Sequence, residues 1–298
     1  MNKNYYWILG ILLIIIIPSI FLMRPSNKLY PAELVTHGHG LAVDVLDPSK
    51  VYIATHHGLM MLTNDKELYR VGKKEDDYMG FSMHPTNPKM MFSSGHPEFG
   101  GNLGFQISED GGFTWKKISN GINGPVDFHS MAVSQANPSI IYGWFANALQ
   151  RSLDGGETWK LIPTNLLELS KGAGIYNLVS DPKDENVIYA GTGLGLFVSK
   201  DKANSWNLLS EELKDVAIIS LAINPDNPSE MLSFTPKFGL AKSADSGLTW
   251  NKVNENFEDD LIYYIAYSKI DPKIVYLLTK RNFIYKSLDS GNIWSKIL

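Results

Sequence analysis

The sequence predicts an all-β fold, a six-bladed β-propeller of four-stranded antiparallel blades that follows one N-terminal transmembrane helix. Three observations support this prediction. A turn motif recurs every 44 to 47 residues, each period contains four short apolar runs, and the chain opens with an uncharged apolar segment. A period of this length with four strands is typical of a propeller blade.

The apolar segment predicts a membrane anchor. Residues 5–23 contain no charged side chain, and a membrane-spanning helix needs about 20 predominantly apolar residues. No small-residue cleavage site follows, so we expect an uncleaved signal anchor rather than a secretory signal peptide. Both alternatives place the rest of the chain on the extracytoplasmic side of the cell membrane. The uncleaved form is a single-pass membrane protein.

The motif Ser-x-Asp-x-x-x-x-Trp defines the repeat. Its five copies start at Ser108, Ser152, Ser199, Ser243 and Ser287. A degenerate sixth copy around Asp65 lies one interval upstream. The aspartate can accept hydrogen bonds from the backbone of a tight turn. Four of the five copies also carry a glycine four positions after the serine, which supplies a positive φ. We therefore interpret the motif as a stabiliser of the fold, without a catalytic role.

Each repeat also contains the strands of one blade. An alternating apolar run is followed by an Asn-Pro or Asp-Pro turn, a second strand, a third strand that ends in the motif, and a fourth strand that starts at its last position. Proline presets φ in such turns and ends a strand. Six such units predict a propeller over residues 37–298, after the anchor at 1–24 and a linker at 25–36.

The composition argues against several classes of function. The net charge of −4 gives no basic field, so we expect no nucleic-acid partner. The absence of cysteine from the sequence excludes disulfides, thiolate chemistry and cysteine-type zinc sites. The sequence contains neither a glycine-rich phosphate loop that opens a helix nor a nucleophile-elbow motif.

The repeats resemble the BNR or Asp-box β-propeller superfamily. That group includes sialidases, xyloglucanase-type glycoside hydrolases, the sortilin luminal domain and photosystem II assembly-factor propellers, so the resemblance implies a fold more than a function. Two shorter stretches, His-Gly-Leu-Ala-Val-Asp at 39–44 and Ser-Gly-His-Pro at 94–97, are similar to a branch of bacterial exported propellers described as glycosyl hydrolase-like.

Propeller topology predicts which loops share a face. The motif joins the third and fourth strands and lies on the lower face, together with the turns between first and second strands. The loops between second and third strands and the connections between blades lie on the upper face. We expect the binding site there, around the central channel.

The histidines are concentrated on this predicted upper face. All seven lie in the first 129 residues, and only His84 is expected on the lower face. The second-to-third loop of blade 2 is longer than in most other blades. The residues that we predict to bind a ligand are His39, His56, His57, His96 and His129.

Three interpretations of these histidines remain open. Imidazoles that converge on a channel mouth can hold a transition metal, and the methionines of blades one to three favour copper. The residues predicted as metal ligands are His39, His57, His96 and His129. Alternatively, the histidines serve metal-free ligand binding or catalysis, or they only hydrogen-bond loops.

A glycosidase would need two carboxylates that flank the scissile bond. The candidates are Glu98 and Asp127, and other upper-face acids include Asp76 and Asp77, although no spacing singles out a pair. The resemblance to xyloglucanase-type enzymes implies acids from two propellers, whereas this sequence contains one propeller.

The arginines of this sequence argue against a sialidase. Resemblance to sialidases implies three arginines around a substrate carboxylate. Outside the juxtamembrane region the chain has only Arg70, Arg151 and Arg281, and the predicted topology keeps them apart. If the protein is an enzyme, we therefore expect a glycosidase of another kind.

The preferred interpretation is a membrane-anchored binding or assembly propeller that is not an enzyme. Its upper face would recognise a peptide, glycan or protein partner. The alternatives are a glycoside hydrolase that acts on extracellular polysaccharide and a transition-metal binding protein of the copper type.

Overall fold

The computed structural model describes residues 27–163, 165–166, 174–253, 255, 257 and 259–298. The predicted anchor at 1–24 lies outside the described residues. No helix in the described part of the chain combines the length and the apolar character that a membrane crossing requires.

The described residues form six antiparallel sheets, which confirms the six-bladed propeller. Blade 1 contains β1 (Leu29–Pro31), β2 (Gly38–Val43), β3 (Lys50–Thr55), β4 (Gly58–Thr63) and β5 (Glu67–Val71). Blade 2 contains β6 (Asp77–Met83), β7 (Met91–His96), β8 (Phe105–Ser108) and β9 (Lys116–Ser119). Blade 3 contains β10 (Ser130–Val133), β11 (Ile141–Phe145), β12 (Ala148–Ser152) and β13 (Lys160–Leu161).

The second half of the ring repeats this arrangement. Blade 4 contains β14 (Ile175–Ser180), β15 (Ile188–Thr192), β16 (Gly195–Ser199) and β17 (Asn207–Leu208). Blade 5 contains β18 (Ser220–Ile223), β19 (Met231–Thr235), β20 (Gly239–Ser243) and β21 (Asn251–Lys252). Blade 6 contains β22 (Ile262–Tyr267), β23 (Val275–Thr279), β24 (Ile284–Ser287) and β25 (Ser295–Lys296).

A fifth strand covers the outer edge of blade 1. Strand β1 lies within the predicted linker and pairs with β5, so that Leu29 is opposite Val71 and Pro31 is opposite Tyr69. An exposed edge strand offers unpaired backbone groups to other chains. The added strand protects this edge.

The first strand of each four-stranded repeat lies innermost, and these strands contact one another around a central channel; they are β2, β6, β10, β14, β18 and β22. One end of the channel, which we call the upper cavity, has a volume of about 180 Å³ and is lined by residues at or just before the start of these strands, including His39, His129 and Tyr263. The other end is a cavity of about 240 Å³, lined by their last residues, including Val43 and Tyr267. The inner strands therefore run in one direction, and they begin at the face that we defined as upper.

The polar groups of the motif turns form hydrogen bonds within the turn itself. In blade 3, Ser152 Oγ donates to Asp154 Oδ1 at 2.7 Å, and Asp154 Oδ1 accepts from the Thr158 N–H at 2.9 Å. The indole N–H of Trp159 donates to the Gly156 carbonyl at 3.0 Å. Hydrogen bonds, first of all from the Thr158 hydroxyl, lower the pKa of Asp154 to about 2. These aspartates stabilise turns, as the sequence predicts.

The apolar core lies between neighbouring blades. One cluster joins Tyr142 and Trp144 of blade 3 to Phe197 and Trp206 of blade 4, all of them buried. Full burial of a large apolar side chain contributes about 1.5–3 kcal/mol. Packing of this kind holds the blades together without disulfides.

The degenerate sixth motif closes the ring. Asp65 lies in the turn between β4 and β5 with a φ of 59°. Its carboxylate lies 2.6 Å from Lys286 Nζ and accepts a hydrogen bond from the Tyr276 hydroxyl at 3.1 Å. Both partners belong to blade 6, so this aspartate joins the first blade to the last.

Candidate functional site

Three side chains that line the upper cavity sit at β-bulges. The register between β2 and β3 skips His39, which lies between the paired residues Gly38 and Gly40. The same irregularity occurs at Tyr176 in β14 and at Tyr263 in β22. A bulge bends its strand and re-aims the extra side chain. His39, Tyr176 and Tyr263 all line the upper cavity.

A group of three imidazoles and a carboxylate lies in blades 1 and 2. We call His37, His39, His56 and Asp77 the mouth cluster. One ring nitrogen from each histidine lies within 4.8 Å of the other two. His39 Nε2 is 3.1 Å from His56 Nε2, and His56 Nδ1 donates to Asp77 Oδ2 at 2.6 Å.

Burial determines the charge of His39. Desolvation lowers the pKa of His39 to about 4, although the Asp77 carboxylate acts in the opposite direction. The charges of His56 and His37 act in the same direction as desolvation and contribute to this value. The ring is therefore neutral near pH 7, which is the form that accepts a hydrogen bond or binds a metal.

His37 adopts an unusual backbone conformation. Its φ of 38° lies outside the common regions for residues other than glycine. Its ring centroid lies 4.9 Å from that of His39 and 4.7 Å from that of His56. His57 is farther away, with its ring centroid 6.5 Å from that of His56. The structure thus adds His37, which was not among the predicted site residues.

A second group, which we call the Asp127 cluster, contains His96, Asp127 and His129. Asp127 Oδ2 lies 2.9 Å from His96 Nε2 and 2.8 Å from His129 Nε2. The hydrogen bond from His129 to Asp127 raises the pKa of His129 against the opposing effect of burial. His96 Nδ1 also contacts the Gly101 carbonyl at 3.0 Å, which attaches the long blade 2 loop to this cluster.

The two clusters influence each other electrostatically. The Asp77 carboxylate contributes to the raised pKa of His129, and the charge of His129 contributes to the lowered pKa of His39. A charge at one cluster therefore changes protonation at the other.

An open cleft adjoins the Asp127 cluster. The cleft has a volume of about 690 Å³. We call it the aromatic cleft, because its lining includes Trp144, Phe145, Tyr176, Tyr263 and Tyr264. Ligand sites are commonly clefts of about 300–1,000 Å³, mostly apolar with a few polar groups. His129 lines both this cleft and the channel cavity, so it connects the cleft to the clusters.

The four predicted metal ligands separate into different environments. Among the described residues, only His39 of that set belongs to the three-nitrogen group. His96 and His129 share Asp127 instead. The structure therefore brings His39 and His56 together with His37, rather than His39 with His57, His96 and His129.

The predicted carboxylate pair has unequal surroundings. The Asp127 side chain is 2 % exposed and is covered by its two imidazoles. Glu98 is exposed, and its backbone N–H donates to Asp76 Oδ1 at 3.3 Å. In the described part of the chain, no hydrogen bond or ion pair joins the Glu98 carboxylate to Asp127. Their catalytic role stays a prediction.

His84 has a structural role. Its Nδ1 accepts hydrogen bonds from the N–H groups of Thr86 and Asn87 at 3.2 and 3.1 Å. Asp44 makes the equivalent turn in blade 1, where its Oδ1 accepts from Leu46 N at 2.8 Å. His84 thus caps the turn that follows the first strand of blade 2.

The two bulged tyrosines were not among the predicted site residues. Tyr176 and Tyr263 directly precede the first apolar run of their repeats, at the position that His39 and His129 occupy in theirs. A comparison of this one position across the repeats would have identified both.

The sequence of this chain is similar to known proteins over only part of its length. No family model matches the chain. A stretch of 135 residues is 26 % identical to an oligoxyloglucan-reducing end-specific xyloglucanase of Emericella nidulans, covering 42 % of this chain and 17 % of that protein. The chain therefore spans less than a fifth of the length of this curated relative.

Two solved structures are similar over most of the chain. A GH74 enzyme of Niastella koreensis has a TM-score of 0.63 and 18 % identity, covering 90 % of this chain and 46 % of that one. YCF48 bound to D1 peptide has a TM-score of 0.55 and 17 % identity, covering 91 % of this chain and 85 % of that one. Identities this low establish the fold alone. The predicted resemblance is confirmed to this extent: the chain is a β-propeller.

Proposed function

We propose that the protein is a membrane-anchored binding or assembly propeller whose upper face holds a peptide segment of a partner protein. The supporting observation is the continuity between the aromatic cleft and the two histidine clusters, which His129 provides. Aromatic rings offer a large apolar contact area, while tyrosine hydroxyls and imidazoles add directional hydrogen bonds. YCF48, a propeller of similar extent, binds a D1 peptide.

The anchor belongs to the same proposal. An apolar segment at residues 5–23 would tether the propeller to the extracytoplasmic side of the cell membrane. Proteolysis of intact cells tests this placement. Degradation of the propeller without cell lysis is expected, and complete protection until lysis would contradict it.

Site-specific photo-crosslinking tests the binding face. A photoreactive phenylalanine analogue replaces Tyr176, which is 50 % exposed in the cleft, or Leu288, which is 66 % exposed in a lower-face motif turn. Irradiation of cells that produce the full chain is expected to give a discrete adduct from position 176 alone. Adducts of equal yield from both positions, or none from position 176, would contradict upper-face binding.

A glycoside hydrolase of the exported Asp-box branch is the second candidate. It is favoured by the local similarity to a xyloglucanase. The full chain is incubated with xyloglucan and cell-wall polysaccharides, and new reducing ends are measured. Turnover that is lost in both Asp127→Asn and Glu98→Gln would favour the enzyme, because a glycosidase uses two carboxyl groups. Our proposal predicts no turnover.

A further inference from the structure

We propose that His37, His39 and His56 bind a divalent transition-metal ion at the channel mouth and that Asp77 orients His56 for this role. The inference deepens the proposed function, because it names a ligand class for the same upper face. It rests on that function only in taking the upper face as the binding surface.

The distances between the ring nitrogens fit a shared metal ligation. His39 Nε2 and His56 Nε2 are 3.1 Å apart. Two nitrogens that each lie 2.0–2.1 Å from a tetrahedral zinc ion are separated by about 3.3–3.4 Å. A small outward movement therefore makes room for an ion. The third ligand is within reach, since nitrogens of all three rings lie within 4.8 Å of one another.

Asp77 provides the support that metal-binding histidines usually have. His56 Nδ1 donates to Asp77 Oδ2 at 2.6 Å, which leaves Nε2 of His56 as its acceptor nitrogen, 3.1 Å from His39 Nε2. A carboxylate behind a ligating histidine fixes its tautomer and increases its basicity. We therefore assign Asp77 a positioning role for His56.

Asp77 also has one carboxylate oxygen without a hydrogen bond. Its Oδ1 is buried and has no hydrogen-bond partner among the described residues, and it lies 3.7 Å from His39 Nε2. Leaving a buried carboxylate oxygen unpaired is unfavourable. A cation held by the three imidazoles would compensate this charge.

The local backbone is shaped to bring the ligands together. A β-bulge re-aims His39, and His37 is held at a φ of 38°. Strained residues of this kind persist where the surrounding structure determines them, and they cluster at ligand sites. In this case both irregularities act on members of the mouth cluster.

The donor set selects the class of metal. Imidazole nitrogen suits zinc and copper, whereas calcium and magnesium prefer oxygen ligands. Three histidines leave a fourth coordination position open. We assign that position to water or to a group of the bound partner.

Metal titration of the full chain tests the site. The protein is purified in detergent without a polyhistidine tag, stripped with EDTA, exchanged free of chelator, and titrated with Zn²⁺ and with Co²⁺ as a spectroscopic probe. We expect stoichiometric binding and the visible absorption of tetrahedral Co²⁺. His56→Gln is expected to weaken zinc binding by more than about 100-fold, and Asp77→Asn by about 10- to 100-fold with the Co²⁺ spectrum retained.

Matched histidine variants complete this test. His57→Gln alters a neighbouring imidazole outside the set, and His84→Gln alters the lower face, so neither is expected to change zinc affinity. Absence of stoichiometric binding, or equal affinity in the wild type and His56→Gln, would overturn the site. Loss of affinity in His57→Gln as large as in His56→Gln would overturn the assigned ligands.

The result is separable from the proposed function. Crosslinking from position 176 is compared with metal titration of the wild-type chain. Failure of the wild type to bind metal, together with an adduct from position 176, overturns the metal site alone. Stoichiometric metal binding without any adduct supports the metal site and contradicts the peptide-binding proposal.

Discussion

His129 Nε2 lies 2.8 Å from Oδ2 of Asp127. The carboxylate side chain is 2 % exposed and the imidazole side chain is 64 % exposed. A buried negative charge thus lies beneath an imidazole that borders the aromatic cleft. Because this hydrogen bond raises the pKa of His129, the ring stays cationic to a higher pH than an ordinary histidine does.

Asp127→Asn is expected to lower the pKa of His129, because the amide cannot stabilise the imidazolium by charge. The titration is followed by NMR of the imidazole Hε1 proton. With a folded pKa above the unfolded value, the stability that this pair provides is present below about pH 6.5 and is lost as pH rises through the folded pKa. Glu98→Gln serves as the control, and an unchanged His129 pKa in Asp127→Asn would contradict the assignment.

Acid should destabilise the metal-free protein through His39. Its pKa of about 4 in the folded state lies below the ordinary value of 6.5. The unfolded chain therefore binds more protons between these values, and stability falls as pH drops from 6.5 towards 4. A loss of about 1–3 kcal/mol is expected from this one group.

Urea unfolding at pH 7 and at pH 4.5, with EDTA present, measures this loss. His39→Gln should show a smaller difference between the two pH values than the wild type, while His57→Gln should match the wild type. Equal differences in all three proteins would show that His39 is not responsible.

Ring closure should depend on Asp65. Asp65→Ala removes the acceptor of Tyr276 and Lys286 and is expected to reduce the free energy of unfolding by about 1–2 kcal/mol. Glu67→Ala removes a nearby exposed carboxylate, and its free energy of unfolding should lie within about 0.5 kcal/mol of the wild-type value. A double-mutant cycle with Lys286→Ala measures the coupling, and zero coupling would exclude the ion pair as a stabilising contact.

Alanine substitutions at two adjacent glycines distinguish the effect of a steric clash from the effect of backbone strain. Gly155 and Gly156 have φ values of 76° and 91°, but only at Gly156 would a Cβ meet a side chain, 2.0 Å from Phe105. Gly155→Ala should lower the free energy of unfolding by about 1–2 kcal/mol, because alanine is disfavoured in the left-handed backbone conformation. Gly156→Ala should lower it distinctly more, as measured by urea unfolding, because its Cβ would also clash with Phe105. Equal costs would contradict the packing of Phe105 beneath this turn.

The sequence predicted the fold because the repeat carries its own turn chemistry. The hydrogen bonds of Asp154 are local to its motif, so five copies at intervals of 44 to 47 residues define five blades. The sixth blade was also predicted, from the weak copy at Asp65. Its role in ring closure was not predicted, because Tyr276 and Lys286 lie more than 200 positions away in sequence.

The site was only partly predictable for a physical reason. Topology placed the histidines on one face, but their convergence depends on a bulge at His39 and a positive φ at His37, neither of which leaves a reliable pattern in one sequence. Asp77 was one acid among several until its contact with His56 distinguished it. Tyr176 reached the cleft through the same kind of bulge.

Hydroxyl-radical footprinting of the full chain, in intact cells and after purification, tests upper-face binding most directly. A bound partner should strongly reduce labelling of Tyr176 and Tyr263 in cells, while lower-face Leu288 and Ile293 keep their labelling. Equal labelling of Tyr176 in both samples, or protection confined to Leu288 and Ile293, would contradict a function carried by the upper face.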